Sequence, residues 1–270
     1  MSAASTIYPL LARLLPRAIA PDPGGQTQRH TAGIGMPAQR AVLGRGFCLV
    51  NRLDEAVDLQ VVYADLRQQA LDGSVVALND LGWVWLNGKY WRAEPALAGR
   101  LLRMAALQGS AVAWYNLGQQ HYFGKGVTIA YASAAECYRQ AFERGLDEAA
   151  AALGDLYEEE ICDTHLQTWQ VDPQRAYDWF MQGAQRGDGR CRFEIGYRLL
   201  HGQQVRADAR LAVYWLELAA AAGVMPAAEE LAMHFSVAGN PMRYLFWRDR
   251  AISLGSPRAL TLKHEDQYRR

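Results

Sequence analysis

Several residue patterns that would define a function are missing from this 270-residue chain. Its four cysteines, Cys48, Cys137, Cys162 and Cys191, form no C-x-x-C pair and no metal-ligand cluster. A disulfide framework is therefore not expected, and the pattern fits a reducing compartment. No run of eighteen apolar residues exists, which excludes a single-helix membrane span. Net charge is also missing, since 28 basic side chains balance 28 acidic ones. Such a chain has no general field for nucleic acid or an anionic membrane, so a charge-driven partner must be read by a local patch. H-E-x-x-H and G-x-S-x-G are absent, and no Rossmann fingerprint opens a strand-helix unit. Gly118, Gly124 and Lys125 evoke a phosphate loop, but five residues separate the glycines where four are needed, and Gly126 stands where a magnesium-binding Ser or Thr belongs. With no convergent acid, base or nucleophile, the chain reads as a non-enzyme with no catalytic, cofactor or metal residue and no expected small-molecule ligand.

The N-terminus, MSAASTIYPLLARLLPRAIAPDP, ends in small residues as a secretory signal does, but its start has no positive charge, and Arg13 and Pro16 interrupt the apolar run. The reading is cytoplasmic, with the periplasm as the alternative if this segment acts as a signal. Residues 1–47 carry Pro9, Pro16, Pro21 and Pro23 and the stretch PGGQTQ, and are expected to form a loosely ordered arm. The competing expectation is a cap formed through Leu10, Leu11, Leu14 and Leu15.

What the chain does have is a repeat. Gly73, Gly109, Gly145, Gly187, Gly223 and Gly255 recur at spacings of 36, 36, 42, 36 and 32, and Gly82, Gly118, Gly154, Gly196 and Ala232 keep the same register. Two columns in one register mean five copies of one unit. Apolar residues fall at helical spacing in both halves of each unit, so a unit is a helix, a turn and a second helix. A glycine inside a helix costs about 1 kcal/mol against alanine. Its repetition therefore predicts close helix packing at Gly82, Gly118, Gly154 and Gly196, while the closing glycines suit a left-handed C′ position. One such pair cannot bury its apolar face alone, so the copies must stack.

AVAWYNLGQQHYFGKGV followed by ASAAECYRQAFERG, at 111–145, resembles the Sel-one-like repeat, a relative of the tetratricopeptide repeat. Residues 73–109 and 187–223 match well. The third copy inserts six residues after Tyr157, and the fifth loses the G-x-G-V turn and four residues. The resemblance implies an all-α, right-handed α-solenoid of about five stacked helix-turn-helix repeats with terminal caps. The expected organisation is an arm (1–47), a capping helix (48–72), five repeats (73–109, 109–145, 145–187, 187–223 and 223–255), then a cap and polar tail (256–270). The resemblance also implies binding of another protein, as a bacterial adaptor or scaffold. The alternative is an immunity protein that neutralises a cognate effector toxin by binding it, and a hydrolase ranks below both.

In such solenoids the first helices line the concave face, and positions counted from each interior glycine name a candidate surface. These are Asn79, Trp83 and Asn87, then Tyr115, Gln119, Tyr122 and Phe123, then Asp155, Glu158 and Glu159, then Arg190, Tyr197 and His201. Aromatic anchors followed by an acidic block resemble an interface core and its charge selectivity. The block, 146–164, holds seven acids and no base. A metal site is disfavoured because the acids are contiguous rather than spaced as ligands. Two readings remain in mixture: a contact for a basic partner, and internal pairing with Arg190, Arg192 and Arg198. His121 fills an aromatic slot of the repeat and reads as structural, Cys137 and Cys191 fall in core columns, and Cys162 alone lies in the inserted loop.

Overall fold

The computed structural model describes residues 4–19, 58–88, 90–159 and 169–268. Among them lie thirteen α-helices and no strand. In order these are α1 (Ala4–Leu14), α2 (Leu59–Leu71), α3 (Val75–Asn87), α4 (Pro95–Leu107), α5 (Ala111–Phe123), α6 (Tyr131–Glu143), α7 (Ala149–Glu158), α8 (Pro173–Arg186), α9 (Gly189–His201), α10 (Ala209–Ala221), α11 (Met225–Val237), α12 (Pro241–Ser253) and α13 (Pro257–Tyr268). They form two compact units, one ending at Ala149 and the other beginning at Ala150. In the first, the pairs α3/α4 and α5/α6 pack in sequence behind α2; in the second, α9/α10, α11/α12 and the half-repeat α13 follow α8.

The interior glycines explain why each pair closes. A Cβ built on Gly82 would stand 2.7 Å from Leu102 Cγ, one on Gly118 2.5 Å from Tyr138 Cε1, and one on Gly196 2.8 Å from Leu216 Cγ; on Gly154 it would strike the Phe180 ring. In all four the obstructing residue comes from the second helix of the same pair. Leu102, Phe180 and Leu216 are themselves fully buried, and burial of one such side chain contributes about 1.5–3 kcal/mol. Cys191 lies at 0% exposure and Cys137 at 7%, as small apolar fillers. Burial pushes the Cys137 thiol up to about 11.

In four of the six turns after a closing glycine one polar residue is used twice, whereas apolar Leu146 and Val224 stand at that place in the other two. The six closing glycines all take positive φ, between +88° and +110°. The residue after the first of them, Ser74, donates its N–H to Gln69 O at 2.9 Å and so ends α2, while its Oγ accepts from Ala77 N and so starts α3. Ser110, Asp188 and Ser256 repeat both bonds. A single short polar residue thus supplies the last bond of one helix and the N-cap of the next. Within each copy, the residue entering the second helix donates its N–H to the first helix: Glu94 to Trp85 O, Ala130 to His121 O, Asp172 to Tyr157 O, Asp208 to Leu199 O and Asn240 to Phe235 O. The third copy keeps this bond at 2.9 Å although its extra residues fall between the partners. The bond that closes the pair is therefore the same as in the other copies, and the fifth copy keeps its pair despite losing G-x-G-V.

The ends differ from the sequence expectation. Residues 4–19 were assigned to the loose arm, but α1 docks on α2. Leu11 and Leu15 are each 2% exposed, Tyr63 Oη donates to Pro16 O at 2.7 Å, and Arg67 donates to the carbonyls of Ala12, Leu15 and Pro16. Arg67 places a cation on the C-terminal end of α1, where the last carbonyls lack helical partners. Leu10 stays exposed and Leu14 is half-buried. The rest of the arm, and residues 48–57 of the expected capping helix, lie outside the described residues, as do Cys48 and Cys162. At the other end, α13 continues past Lys263 to Tyr268 rather than stopping.

Candidate protein-binding surface

The surface is set by helix phase. Counting from each interior glycine, the position five residues on is the most open column. Phe123 is 49% exposed and Val237 88%, Glu159 and His201 are exposed, and Asn87 is half-buried. The position one residue on, with Trp83, Gln119, Asp155 and Tyr197, is half-buried. The position three residues before the glycine is not surface in the first two copies. Asn79 is 4% exposed and accepts a hydrogen bond from Asn116 Nδ2 at 3.0 Å. Tyr115 is 5% exposed, its ring centroid 5.2 Å from that of Tyr138. Both point into the packing around α5, so neither presents a side chain to a partner as the sequence reading assigned.

In the first unit, α3 and α5 together carry one charged residue, Asp80, and it is 1% exposed. Asn79 Nδ2 donates to Asp80 Oδ1 at 3.1 Å, while Oδ2 is buried without a partner. Desolvation raises the Asp80 carboxyl from 3.8 to about 7. What these helices offer outward is aromatic and polar. Tyr122 meets Phe123 edge-on at 4.8 Å and Tyr131 at 5.7 Å. Asn87 Nδ2 donates to Trp83 O at 2.9 Å. Lys125, in the turn after α5, donates to Asn87 Oδ1 at 2.6 Å and lies 5.5 Å from the Phe123 ring centroid. His121 is half-buried, with Nδ1 lacking a partner, and burial together with Arg103 lowers its pKa.

The second unit answers the question of the acidic block. Arg190 grips Asp155 with two hydrogen bonds, at 2.6 and 2.8 Å. Arg198 is 5% exposed, pairs with both Glu158 and Glu194, and lies 4.5 Å from the Phe180 ring centroid. Asp155 and Glu158 are thus each paired within the unit, with Arg190 and Arg198 respectively; bidentate and buried pairs of this kind hold helix to helix. Burial raises the Asp155 pKa even though Arg190 works against it. Arg192 bonds Ala184 O instead of an acid. Of the three acids chosen for a partner, Glu159 alone is exposed; Glu160, Asp163 and His165 lie outside the described residues. Tyr197 and His201 stack with centroids 4.4 Å apart, and His201 Nε2 lies 3.0 Å from Glu230.

Among the described residues no group of three or more His, Cys, Asp or Glu is placed to hold a metal ion, and no helix is long and apolar enough to cross a membrane. Lys125 is the residue that sequence reasoning missed, because it was weighed only as part of a phosphate loop.

Comparison with known proteins agrees with this repeat geometry. The chain is 31% identical over 120 residues to an uncharacterized protein of Neisseria meningitidis serogroup B, a match covering 44% of this chain and 23% of that protein. A solved Sel1 repeat protein from Oxalobacter formigenes superposes with a TM-score of 0.63 at 24% identity, covering 80% of this chain and 86% of the other. The Pseudomonas aeruginosa pilF structure gives 0.52 at 18% identity, over 84% and 97%. The Sel1 repeat pattern itself matches residues 75–110, 111–146, 147–188 and 190–224, more than half of the chain, and the chain belongs to the Sel1 repeat family.

Proposed function

We propose that this protein is a binding module whose partner protein docks on the first-helix surface of the first unit, around Trp83, Tyr122 and Phe123. Sel1 repeat proteins mediate protein–protein interaction, and their fold is typically a scaffold rather than a catalyst. One observation carries the choice of surface. The 26 residues of α3 and α5 show no exposed charge, yet Phe123 stands 49% exposed beside Tyr122. Water-facing helix positions with no binding role are ordinarily charged, whereas interface cores are depleted of charge and rich in aromatic rings. Gln119 and Asn87 supply polar contacts at the rim of this face. In the second unit, exposed Glu159 and His201 and half-buried Tyr197 form a separate contact set.

An adaptor and a toxin-neutralising immunity protein use the same kind of surface, so the partner's identity decides between these roles. Affinity capture from the native host with wild-type protein and with Phe123→Ala, followed by partner identification, tests both points. Retention of a specific protein by wild type and its loss with Phe123→Ala, at unchanged melting temperature, supports the reading. Equal retention by both removes this surface. An effector toxin as the captured species assigns the immunity role, and a component of a cellular assembly assigns the adaptor role.

A further inference from the structure

In the first unit Arg139 on α6 pairs with Glu136 and Glu143, but the cation at the first-helix face is held differently from those of the second unit. In the second unit, Arg190 and Arg198 each hold a carboxylate. In the first, Lys125 is half-buried yet enters no ion pair among the described residues. Its partners among the described residues are one amide oxygen, Asn87 Oδ1, and one ring face, Phe123. An ammonium group has three donors. Partial burial of a cation without a counter-charge is unfavourable, and supplying an anion relieves that cost.

The surroundings of Lys125 favour an anion as well. Among the described residues from 75 to 131 the bases are Arg92, Arg100, Arg103 and Lys125, while the acids are Asp80, which is buried, and Glu94. The field of Arg103 reaches α5, where it helps to lower the His121 pKa. Burial lowers the Lys125 pKa too. Exposed apolar groups lie close by: the Phe123 ring, 49% exposed, beside Lys125 itself, and Ile129, 43% exposed, against the adjoining Gly124.

Resting on the binding surface described above, we infer that Lys125 takes an Asp or Glu side chain of the partner, and that the partner docks as an acidic peptide segment whose apolar side chains cover Phe123 and Ile129. Charge selection then has the opposite sign from the one the acidic block suggested. The first unit selects an acidic partner through an open cation, while Asp155 and Glu158 of the block pair within the second unit.

A random peptide display library selected on the full chain tests this, with Lys125→Gln, Lys125→Arg and Phe123→Ala as the comparison proteins and melting curves as the folding control. The expected result is enrichment of acidic peptides containing apolar residues. Lys125→Gln should weaken them about tenfold and abolish the acidic bias, and Lys125→Arg should keep it. Peptides that depend on Phe123 but show no acidic bias overturn this inference and leave the surface standing. Peptides indifferent to both Phe123→Ala and Lys125→Gln overturn the inference and the surface together. Failure to retain any peptide overturns docking through a peptide segment, and the surface then stands or falls with the capture experiment.

Discussion

Replacing Gly196 by alanine sets two known effects against each other. Alanine in a helix interior gains about 1 kcal/mol over glycine, so with room to spare the variant would be more stable than the parent. There is no room. The new Cβ would lie 2.8 Å from Leu216 Cγ, 3.0 Å from Cδ2 and 3.1 Å from the Leu216 backbone nitrogen. Leu216 is 0% exposed and packs among Leu231, Phe235 and Ala251, so its side chain has nowhere to swing, and the contact with its backbone nitrogen would survive any rotamer change. Either α10 shifts a few tenths of an ångström from α9 or Leu216 leaves its rotamer. Overpacking of this kind costs about 1–3 kcal/mol, which leaves a net loss of up to about 2 kcal/mol. Ala232 supplies the internal control, because it holds the same repeat position in the fifth copy and is 4% exposed. Ala232→Gly should lose about 1 kcal/mol through helix propensity alone. Urea unfolding followed by tryptophan fluorescence, on wild type, Gly196→Ala and Ala232→Gly, reads both. A Gly196→Ala protein about 1 kcal/mol more stable than wild type would refute the close-packing account.

Three further outcomes follow from named contacts. Gly109 has nothing within 4 Å of an added Cβ but sits at φ +96°, so Gly109→Ala should destabilise by about 1–2 kcal/mol through backbone strain alone, as measured by thermal melting. Asp80 is held at about 7 in the folded chain against an ordinary 3.8; the folded state keeps the proton that the unfolded state gives up, so its contribution is complete below 3.8 and is lost as pH rises toward about 7. Asp80→Asn should flatten that part of the stability–pH curve, and an unchanged slope would show that Asp80 does not carry it. Arg67→Ala removes the donor to three carbonyls at the end of α1 and should cost about 1–2 kcal/mol of local stability, seen as faster hydrogen exchange in α1 with the repeats unaffected.

The repeats were readable because glycine answers two physical demands that no other residue meets. It alone fits beneath Leu102, Tyr138, Phe180 and Leu216, and it adopts positive φ freely at the turn. The turn demand recurs in every copy and the close-packing demand in four, and recurrence is visible in sequence. The binding surface was less legible because it depends on rotational phase about each helix. A column count cannot tell whether Tyr115 lies on Tyr138 or in water, and the answer depends on how α5 meets α6. The docking of α1 was hidden for another reason: its partners, Tyr63 and Arg67, are about fifty residues away, across a segment with no repeat column. For the acidic block the sequence did name its arginine partners, yet the division between internal pairing and an outward contact needed the geometry of Arg190 and Arg198. Lys125 had a signal that went unused. The chain has only three lysines, and Lys89 and Lys125 occupy the same position in successive copies.

Hydrogen exchange of the complex with the captured partner tests the central claim most directly, since it reads the footprint on the wild-type chain. The account predicts new protection at the C-terminal end of α3, around Trp83–Asn87, and from Tyr122 through Tyr131. Protection confined to the second helices α4 and α6, with Tyr122–Tyr131 exchanging as in the unbound protein, would contradict it.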